Sequence, residues 1–193
     1  MFRVRFHGRG GQGVVTAAEM LAVAAFLDDL HAQAFPSFGS ERMGAPVVSY
    51  CRIDERPIRT HDPVTSADAL VVQDATLLHE VDLFAGLDDN GFVLINSART
   101  PSELGVDDLA HRLLPGRLIT LAANDIGMRF IGRPRANTAL LAALASMSAV
   151  VSHDAVVKAI RRRFPGPLGE SNVAAADAAV AAVTDNAEVA GRA

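Results

Sequence analysis

The sequence predicts an α/β protein, a three-layer sandwich with a mostly parallel, mixed sheet and a helical C-terminal part. Two observations lead to this prediction. Short apolar segments with strand character alternate with helical segments through the first two-thirds of the 193-residue chain. That alternation is typical of parallel sheets covered by helices. From Asn137 onward, the remaining segments favour helices only.

The chain opens with a strand, a glycine-rich loop and a long helix. Apolar and polar residues alternate over residues 2–7, which predicts a strand. Gly8-Arg-Gly-Gly-Gln-Gly13 cannot continue that strand, because four glycines in six positions favour unusual backbone angles. Residues 14–30 are rich in Ala and Leu and contain no Gly or Pro, so a helix is expected. This order is the beginning of a βαβ unit.

The later elements follow from the same criteria. Turn residues 54–57 allow a short hairpin partner at Ile58. Ser152 is placed to cap one of the C-terminal helices. We expect one domain over residues 1–183 and a frayed tail over 184–193. Strands are predicted over residues 32–38, 47–53, 69–73, 92–95 and 118–122, and helices over 76–87, 106–114, 138–148, 153–164 and 172–183.

Composition limits the classes of function. A net charge of −4 argues against nucleic-acid binding. No apolar run reaches the roughly 18 residues of a membrane span, and no apolar signal core follows the first basic residues, so we expect a cytoplasmic protein. The single cysteine, Cys51, excludes an internal disulfide and a cysteine-built cluster. The six histidines are dispersed, and no metal site is predicted.

Charge is distributed unevenly along the chain. Residues 61–110 contain ten acidic side chains and one basic side chain, Arg99, whereas residues 111–165 contain nine basic side chains and two acidic ones. Two interpretations remain open. The two stretches form oppositely charged solvated faces, or the basic stretch meets an anionic ligand or partner.

The glycine loop lies where open α/β folds bind ligands, beyond the carboxyl end of a strand. A helix that begins near Val14 presents free N–H groups and a positive dipole end, which suit an anion. Gly8, Gly10 and Gly13 match G-x-G-x-x-G, but no acidic residue ends a second strand about 20 residues later. The loop therefore predicts either phosphate or nucleotide binding, or a tight turn that lets helix and sheet pack closely.

A second loop also carries potential chemistry. It combines Ser37, Ser40, Glu41 and Arg42 with two glycines. No nucleophile-elbow spacing surrounds either serine. The alternative is a polar surface loop in which Glu41 balances the charge of Arg42.

The two loops together resemble the gamma subunit of pyruvate:ferredoxin oxidoreductase and its 2-oxoacid relatives. The segments that carry the resemblance are Gly8-Arg-Gly-Gly-Gln-Gly-Val-Val-Thr-Ala17 and Phe35-Pro-Ser-Phe-Gly-Ser-Glu-Arg-Met-Gly-Ala-Pro46. Asn137-Thr-Ala-Leu-Leu141 and Glu170-Ser-Asn172 extend it over nearly the whole chain. Met43 departs from the pattern, because the family commonly has a second arginine there.

The resemblance implies a non-autonomous subunit without catalytic residues of its own. Thiamine diphosphate and iron–sulfur clusters are expected on partner alpha, beta and iron–sulfur subunits, while this chain contributes coenzyme A binding and assembly. Arg9, Arg129, Arg133 and Arg135 are the cations available for phosphate. Two alternatives are a purely structural assembly subunit and a free-standing nucleotide-binding protein. The candidate residues for coenzyme A or a subunit interface are Gly8, Arg9, Gly10, Gly11, Gln12, Gly13, Ser37, Gly39, Ser40, Glu41 and Arg42.

Overall fold

A computed structural model of the chain describes residues 1–37 and 43–190, and it contains one six-stranded sheet. The order of the strands is β2-β3-β1-β4-β5-β6. Strands β1, β4, β5 and β6 are parallel, whereas β3 is antiparallel to both β1 and β2. The prediction of a mixed α/β sheet is confirmed. The strands are β1 (Phe2–Arg9), β2 (His31–Pro36), β3 (Pro46–Asp54), β4 (Ala67–Val72), β5 (Leu87–Asn96) and β6 (Leu118–Leu121).

Helices cover both faces of this sheet, but unequally. One face carries α1 and the C-terminal helices, which share a core with β1, β3 and β4. The other carries α2 and a 3-10 helix at Ala75–His79, which pack on β4 and β5. Within the described residues, no helix has the length and hydrophobicity to cross a membrane. The α-helices are α1 (Val14–Leu27), α2 (Asp107–Arg112), α3 (Ala123–Ile131), α4 (Asn137–Ser148), α5 (His153–Arg163) and α6 (Pro167–Ala190).

Helix α4 is the centre of the C-terminal part. Its first nine residues are all buried, and Leu140, Leu141 and Leu144 are completely so. A helix that is apolar all round is stable only when it is enclosed, and α1, α5 and α6 surround α4. The three predicted C-terminal helices are confirmed, and α6 is longer than expected at both ends. Ser152 caps α5 as predicted, because its hydroxyl accepts from the Ala155 N–H at 3.1 Å.

Two sequence-based elements are wrong, and in both cases an arginine of the sheet donates hydrogen bonds to backbone carbonyl groups of the segment. The helix predicted over 76–87 is only the short 3-10 helix, because Leu83 and Ala85 turn their carbonyl groups toward the buried Arg5 and accept hydrogen bonds from it at 3.0 and 2.6 Å. No strand forms at Ile58. Instead, the Arg52 guanidinium donates to the Asp62 carbonyl and holds that segment as a loop.

Candidate functional site

The glycine loop lies at the carboxyl end of β1, where the described end of the second loop, Gly44 and Ala45, contacts it. Helix α1 begins after Gly13, whose φ of 80° is left-handed and which provides no side-chain cap. The Gly10 N–H donates to the Ala45 carbonyl at 2.9 Å, and the Gly44 N–H donates to the Gly10 carbonyl at 3.2 Å. Ser37 is exposed at the start of the second loop. Gly39, Ser40, Glu41 and Arg42 lie outside the described residues.

Arg9 and Gln12 turn toward the protein and brace the glycine loop. The Arg9 guanidinium contacts Glu80 at 2.5 Å, the Thr76 hydroxyl at 2.6 Å and Asp74 at 3.3 Å. Gln12 donates to Asp74 at 2.7 Å, and its carbonyl oxygen accepts from the Arg9 N–H at 2.7 Å. Both side chains are therefore already engaged in contacts within the chain.

Asp74 is the common acceptor in this network. Partial burial alone would raise the pKa of Asp74, but hydrogen bonds from Thr76 and Gln12, together with the charge of Arg9, outweigh burial, so the pKa lies below its ordinary value. The carboxylate is consequently ionised at neutral pH, where it holds the loop by accepting several hydrogen bonds at once.

Two adjoining cavities open beside the glycine loop. The larger has a volume of about 510 Å³ and the smaller about 290 Å³. Gly13, Thr16 and Arg135 line both cavities, so the two form one continuous cleft at the N-terminus of α1. The larger cavity is lined by Gly13, Thr16, Ile131, Arg133, Arg135, Asn137, Arg163, Phe164, Leu168 and Asn172. The smaller is lined by Arg9, Gly10, Gly11, Gly13, Val14, Val15, Thr16, Val47 and Arg135.

Three arginines give the larger cavity its positive charge. Arg133, Arg135 and Arg163 are all exposed, and Arg135 donates to the Gly11 carbonyl at 2.6 Å. Among the side chains that the structure describes, no carboxylate forms an ion pair with these three. The sequence-based candidates include Arg133 and Arg135 but not Arg163. They also include Arg129, which lines neither cavity. The available signal for Arg163 was its position in the basic stretch 111–165.

Close approach at a glycine positions two of these arginines. A Cβ added at Gly127 in α3 would lie 2.5 Å from the Arg135 carbonyl oxygen and 2.9 Å from that of Arg133. The segment that carries both arginines therefore runs directly over α3, and only glycine leaves room for it. Helix α3 was not predicted from the sequence, because a central glycine weakens any helical pattern.

The C-terminal motifs of the sequence meet the glycine loop in the same cleft. Asn137, the first residue of α4, lies against Gly13: its amide nitrogen is 2.8 Å from the position that a Gly13 Cβ would occupy. Asn172 also lines the larger cavity. Its amide accepts from Thr138 at 3.0 Å and donates to the Leu168 carbonyl at 2.8 Å. Segments more than 120 residues apart in the sequence thus build one site.

The family model of pyruvate ferredoxin/flavodoxin oxidoreductase matches residues 3–182. The chain belongs to this family. The resemblance inferred from the two loops is therefore confirmed. Among the described residues, no group of three His, Cys, Asp or Glu side chains could hold a metal ion.

Relatives within the pyruvate ferredoxin/flavodoxin oxidoreductase family match over most of their length. The common subunit gamma of the pyruvate/ketoisovalerate oxidoreductases of Thermococcus kodakarensis is 45% identical over 93% of this chain and 95% of the relative. Pyruvate synthase subunit PorC of Methanothermobacter thermautotrophicus is 46% identical over 91% of this chain and 92% of the relative. The crystal structure of pyruvate oxidoreductase subunit PORC from Thermotoga maritima is 31% identical, with a TM-score of 0.77 over 93% of this chain and 95% of that one.

Proposed function

We propose that this chain is the gamma subunit of a cytoplasmic 2-oxoacid:acceptor oxidoreductase complex, in which it binds coenzyme A and contributes to assembly. Thiamine diphosphate and the iron–sulfur clusters belong to partner subunits in this proposal, as the sequence resemblance implied. Coenzyme A supplies the thiol that accepts the acyl group when the 2-oxoacid is oxidised and decarboxylated. The relatives named as gamma or PorC subunits support the placement of this chain in such a complex.

The observation that carries coenzyme A binding is a cleft at the N-terminus of α1, which has no side-chain cap, and three arginines line this cleft. Phosphates are held by backbone N–H groups at helix N-termini and by guanidinium groups that donate two parallel hydrogen bonds. The cleft offers both within one continuous space. The larger cavity, at about 510 Å³, falls within the range of about 300–1,000 Å³ typical of small-molecule sites.

Arg135 is the most direct test, because it lines both cavities and also contacts the glycine loop. In the complex assembled with its partner subunits, we expect Arg135→Ala to raise the KM for coenzyme A roughly tenfold or more, since a charge-assisted hydrogen bond contributes about 1.5–3 kcal/mol. The KM for pyruvate should stay unchanged. The measurement is initial-rate kinetics at varied coenzyme A concentration.

Arg162→Ala is the matched control, because Arg162 is an exposed arginine of α5 that lines neither cavity. It should leave both KM values unchanged. If Arg135→Ala also leaves the KM for coenzyme A unchanged, coenzyme A does not bind in this cleft. A purely structural assembly subunit would then be the better account. A stable solitary chain that binds nucleotide would favour the free-standing alternative.

A further inference from the structure

We infer that the edge strand β2 is an interface between two copies of this chain. The two β2 strands pair antiparallel around a two-fold axis at Gln33, and the two six-stranded sheets become one. This interface is separate from the proposed coenzyme A site, because neither Gln33 nor its neighbours in β2 line either cavity.

The outer side of β2 presents backbone groups to which no strand among the described residues is paired. The Ser37 N–H donates to the Val48 carbonyl at 2.8 Å, so Ser37 faces β3. Neighbouring residues of an antiparallel strand turn their N–H and C=O groups to opposite sides. Gln33 therefore also faces β3, whereas Ala32 and Ala34 face outward.

Strand β2 also lacks features that normally prevent an edge strand from pairing. Natural sheets protect their edges with charged side chains, bulges or very short strands. Strand β2 has six residues, pairs with β3 in unbroken register and contains no Asp, Glu, Lys or Arg. The opposite edge strand, β6, has four residues, and Arg117 directly precedes it. Of the two edges of the described sheet, β2 is therefore the one suited to pairing.

The sequence of β2 is self-complementary. In a pairing centred on Gln33, Ala32 of one copy lies opposite Ala34 of the other, and the two residues exchange backbone hydrogen bonds. The two-fold axis repeats this exchange. The two Gln33 amides meet at the axis, and because an amide both donates and accepts, identical side chains can pair there. Pro36, which has no N–H, lies beyond these bonds at the end of the strand. These properties favour a second copy over an unlike strand.

Helix α1 adds an apolar surface beside the same edge. It packs on β2 and β3. Val15 lines the smaller cavity together with Val47 of β3, so this flank of α1 lies beside the edge half of the sheet. Helical spacing puts Glu19, Ala22 and Phe26 on the same flank. The Phe26 side chain belongs to a residue that is 71% exposed, which is unusual for a large aromatic residue and is explained if another chain covers it.

The geometry of the joined sheet brings the two α1 helices together. A two-fold axis perpendicular to the sheet leaves both helices on the same face, one on each side of the seam. Adjacent strands lie about 4.8 Å apart, so helices over β2 and β3 of the two copies lie about 10 Å apart, close to the distance of about 8–10 Å between packed helices. Phe26 of each copy is then covered by α1 of the other, and this apolar contact supports a strand pair that would be marginal by itself.

The experiment measures disulfide formation in the assembled complex. The single native cysteine, Cys51, is buried, so a cysteine introduced at the surface is the reactive one in this chain. Opposite residues at the two-fold axis have Cβ atoms about 4.5–5.5 Å apart, near the separation of about 3.5–4.5 Å in a disulfide. Under mild oxidation, Gln33→Cys should link two copies of this chain, which a non-reducing gel shows as a band of twice the mass of the chain.

Ser102→Cys is the control, because Ser102 is exposed and its segment packs on the other face of the sheet. Two cysteines held in contact react at a high effective concentration, so Gln33→Cys should link at least about tenfold faster than Ser102→Cys. Equal rates for the two variants, no link at Gln33→Cys, or a link only to a different subunit would overturn the inference.

Ala34→Pro tests the backbone pairing itself. Proline removes the outward N–H and leaves the bonds to β3 in place, since an edge strand tolerates a proline whose nitrogen faces outward. Added to Gln33→Cys, it should reduce the rate of linking to that of Ser102→Cys, whereas Ala34→Ser, which keeps the N–H, should not. Equal linking in the two double variants would show that the β2 strands do not pair through their backbones, and the inference would be wrong. If Ala34→Pro lowers the Tm, the comparison of Gln33→Cys with Ser102→Cys decides.

Discussion

His7 is a buried titratable group directly before the glycine loop. It is 8% exposed, and its Nε2 atom has no hydrogen-bond partner among the described residues. Burial, and to a lesser extent the charge of Arg5, lower its pKa to about 4. The imidazole is therefore neutral at neutral pH. In the unfolded chain an ordinary histidine has a pKa of about 6.5.

This shift makes the stability of the protein pH-dependent. Between pH 6.5 and about 4 the unfolded chain binds a proton at His7 that the folded chain does not, so stability decreases as the pH falls through this window. We expect a loss of about 2 kcal/mol in the free energy of unfolding between pH 7 and pH 5. His7→Gln, which cannot titrate, should remove this dependence in urea unfolding measured at both pH values.

His79→Gln is the control for that measurement, because His79 is exposed. It should retain the pH dependence of the unmodified chain. The same decrease in stability for His7→Gln and for the unmodified chain would show that His7 does not titrate below its ordinary range in the folded protein.

At the level of single residues, the sequence was informative where the chemistry is local. Ser152 was identified as a cap because a capping hydroxyl acts within three residues. The role of Arg163 could not be predicted in this way, because the cavity that it lines joins α1, α4 and α6. Arg9 is the opposite case, because its place in the glycine loop was predicted but its contacts were not. Its guanidinium donates to Thr76 and Glu80, which lie about 65–70 positions later in the sequence.

Among the structural elements, the glycine loop depends most strictly on its backbone. Gly11 has a φ of 92°, which L side chains rarely adopt, and a Cβ there would lie 3.1 Å from the Met43 methyl group. Gln12, in contrast, contributes through side-chain hydrogen bonds to Asp74 and to the Arg9 N–H. Removal of the Gln12 side chain still leaves Asp74 paired with Thr76 and Arg9.

We therefore expect Gly11→Val to be more damaging than Gln12→Ala. A β-branched residue at this φ costs about 1–3 kcal/mol and displaces the loop. The expected results are a lower Tm and a higher KM for coenzyme A for Gly11→Val, with smaller changes for Gln12→Ala.

The control for backbone strain is Gly105→Val, because Gly105 has a φ of 69°, no neighbour within 4 Å of its Cβ position and no place in the lining of either cavity. It should lower the Tm without raising that KM. Unchanged stability and unchanged kinetics for Gly11→Val would contradict the role assigned to this loop.

Helices and strands were predictable from the sequence where the hydrophobic periodicity and glycine content of a segment agree with its tertiary contacts. The strand, glycine loop and helix at the N-terminus follow from alternation, from glycine content and from an uninterrupted apolar helix. The segment 76–87 has helical spacing of its leucines, yet the contacts of Arg5 determine its structure. Helix α3 was missed because the glycine that admits the arginine segment also weakens the helical pattern. In both cases tertiary contacts override local preference.

For the whole molecule, the central feature is the convergence of distant segments at one edge of the sheet. The glycine loop, the arginines after α3, the first residue of α4 and the end of α5 all border the same cleft. The basic stretch 111–165 contributes Arg133, Arg135 and Arg163 to it, which agrees with an anionic ligand. Helix α2, with Asp107 and Asp108 in its first turn, lines neither cavity.

Amide hydrogen exchange of the assembled complex, with and without coenzyme A, tests this account most directly. If coenzyme A binds in the cleft of this chain, exchange should slow by at least several-fold in residues 10–16 and 131–137. Exchange in α2 should not change, because that helix lies outside the cleft. Protection by coenzyme A that is confined to the partner subunits, with none in these two segments, would contradict the central claim.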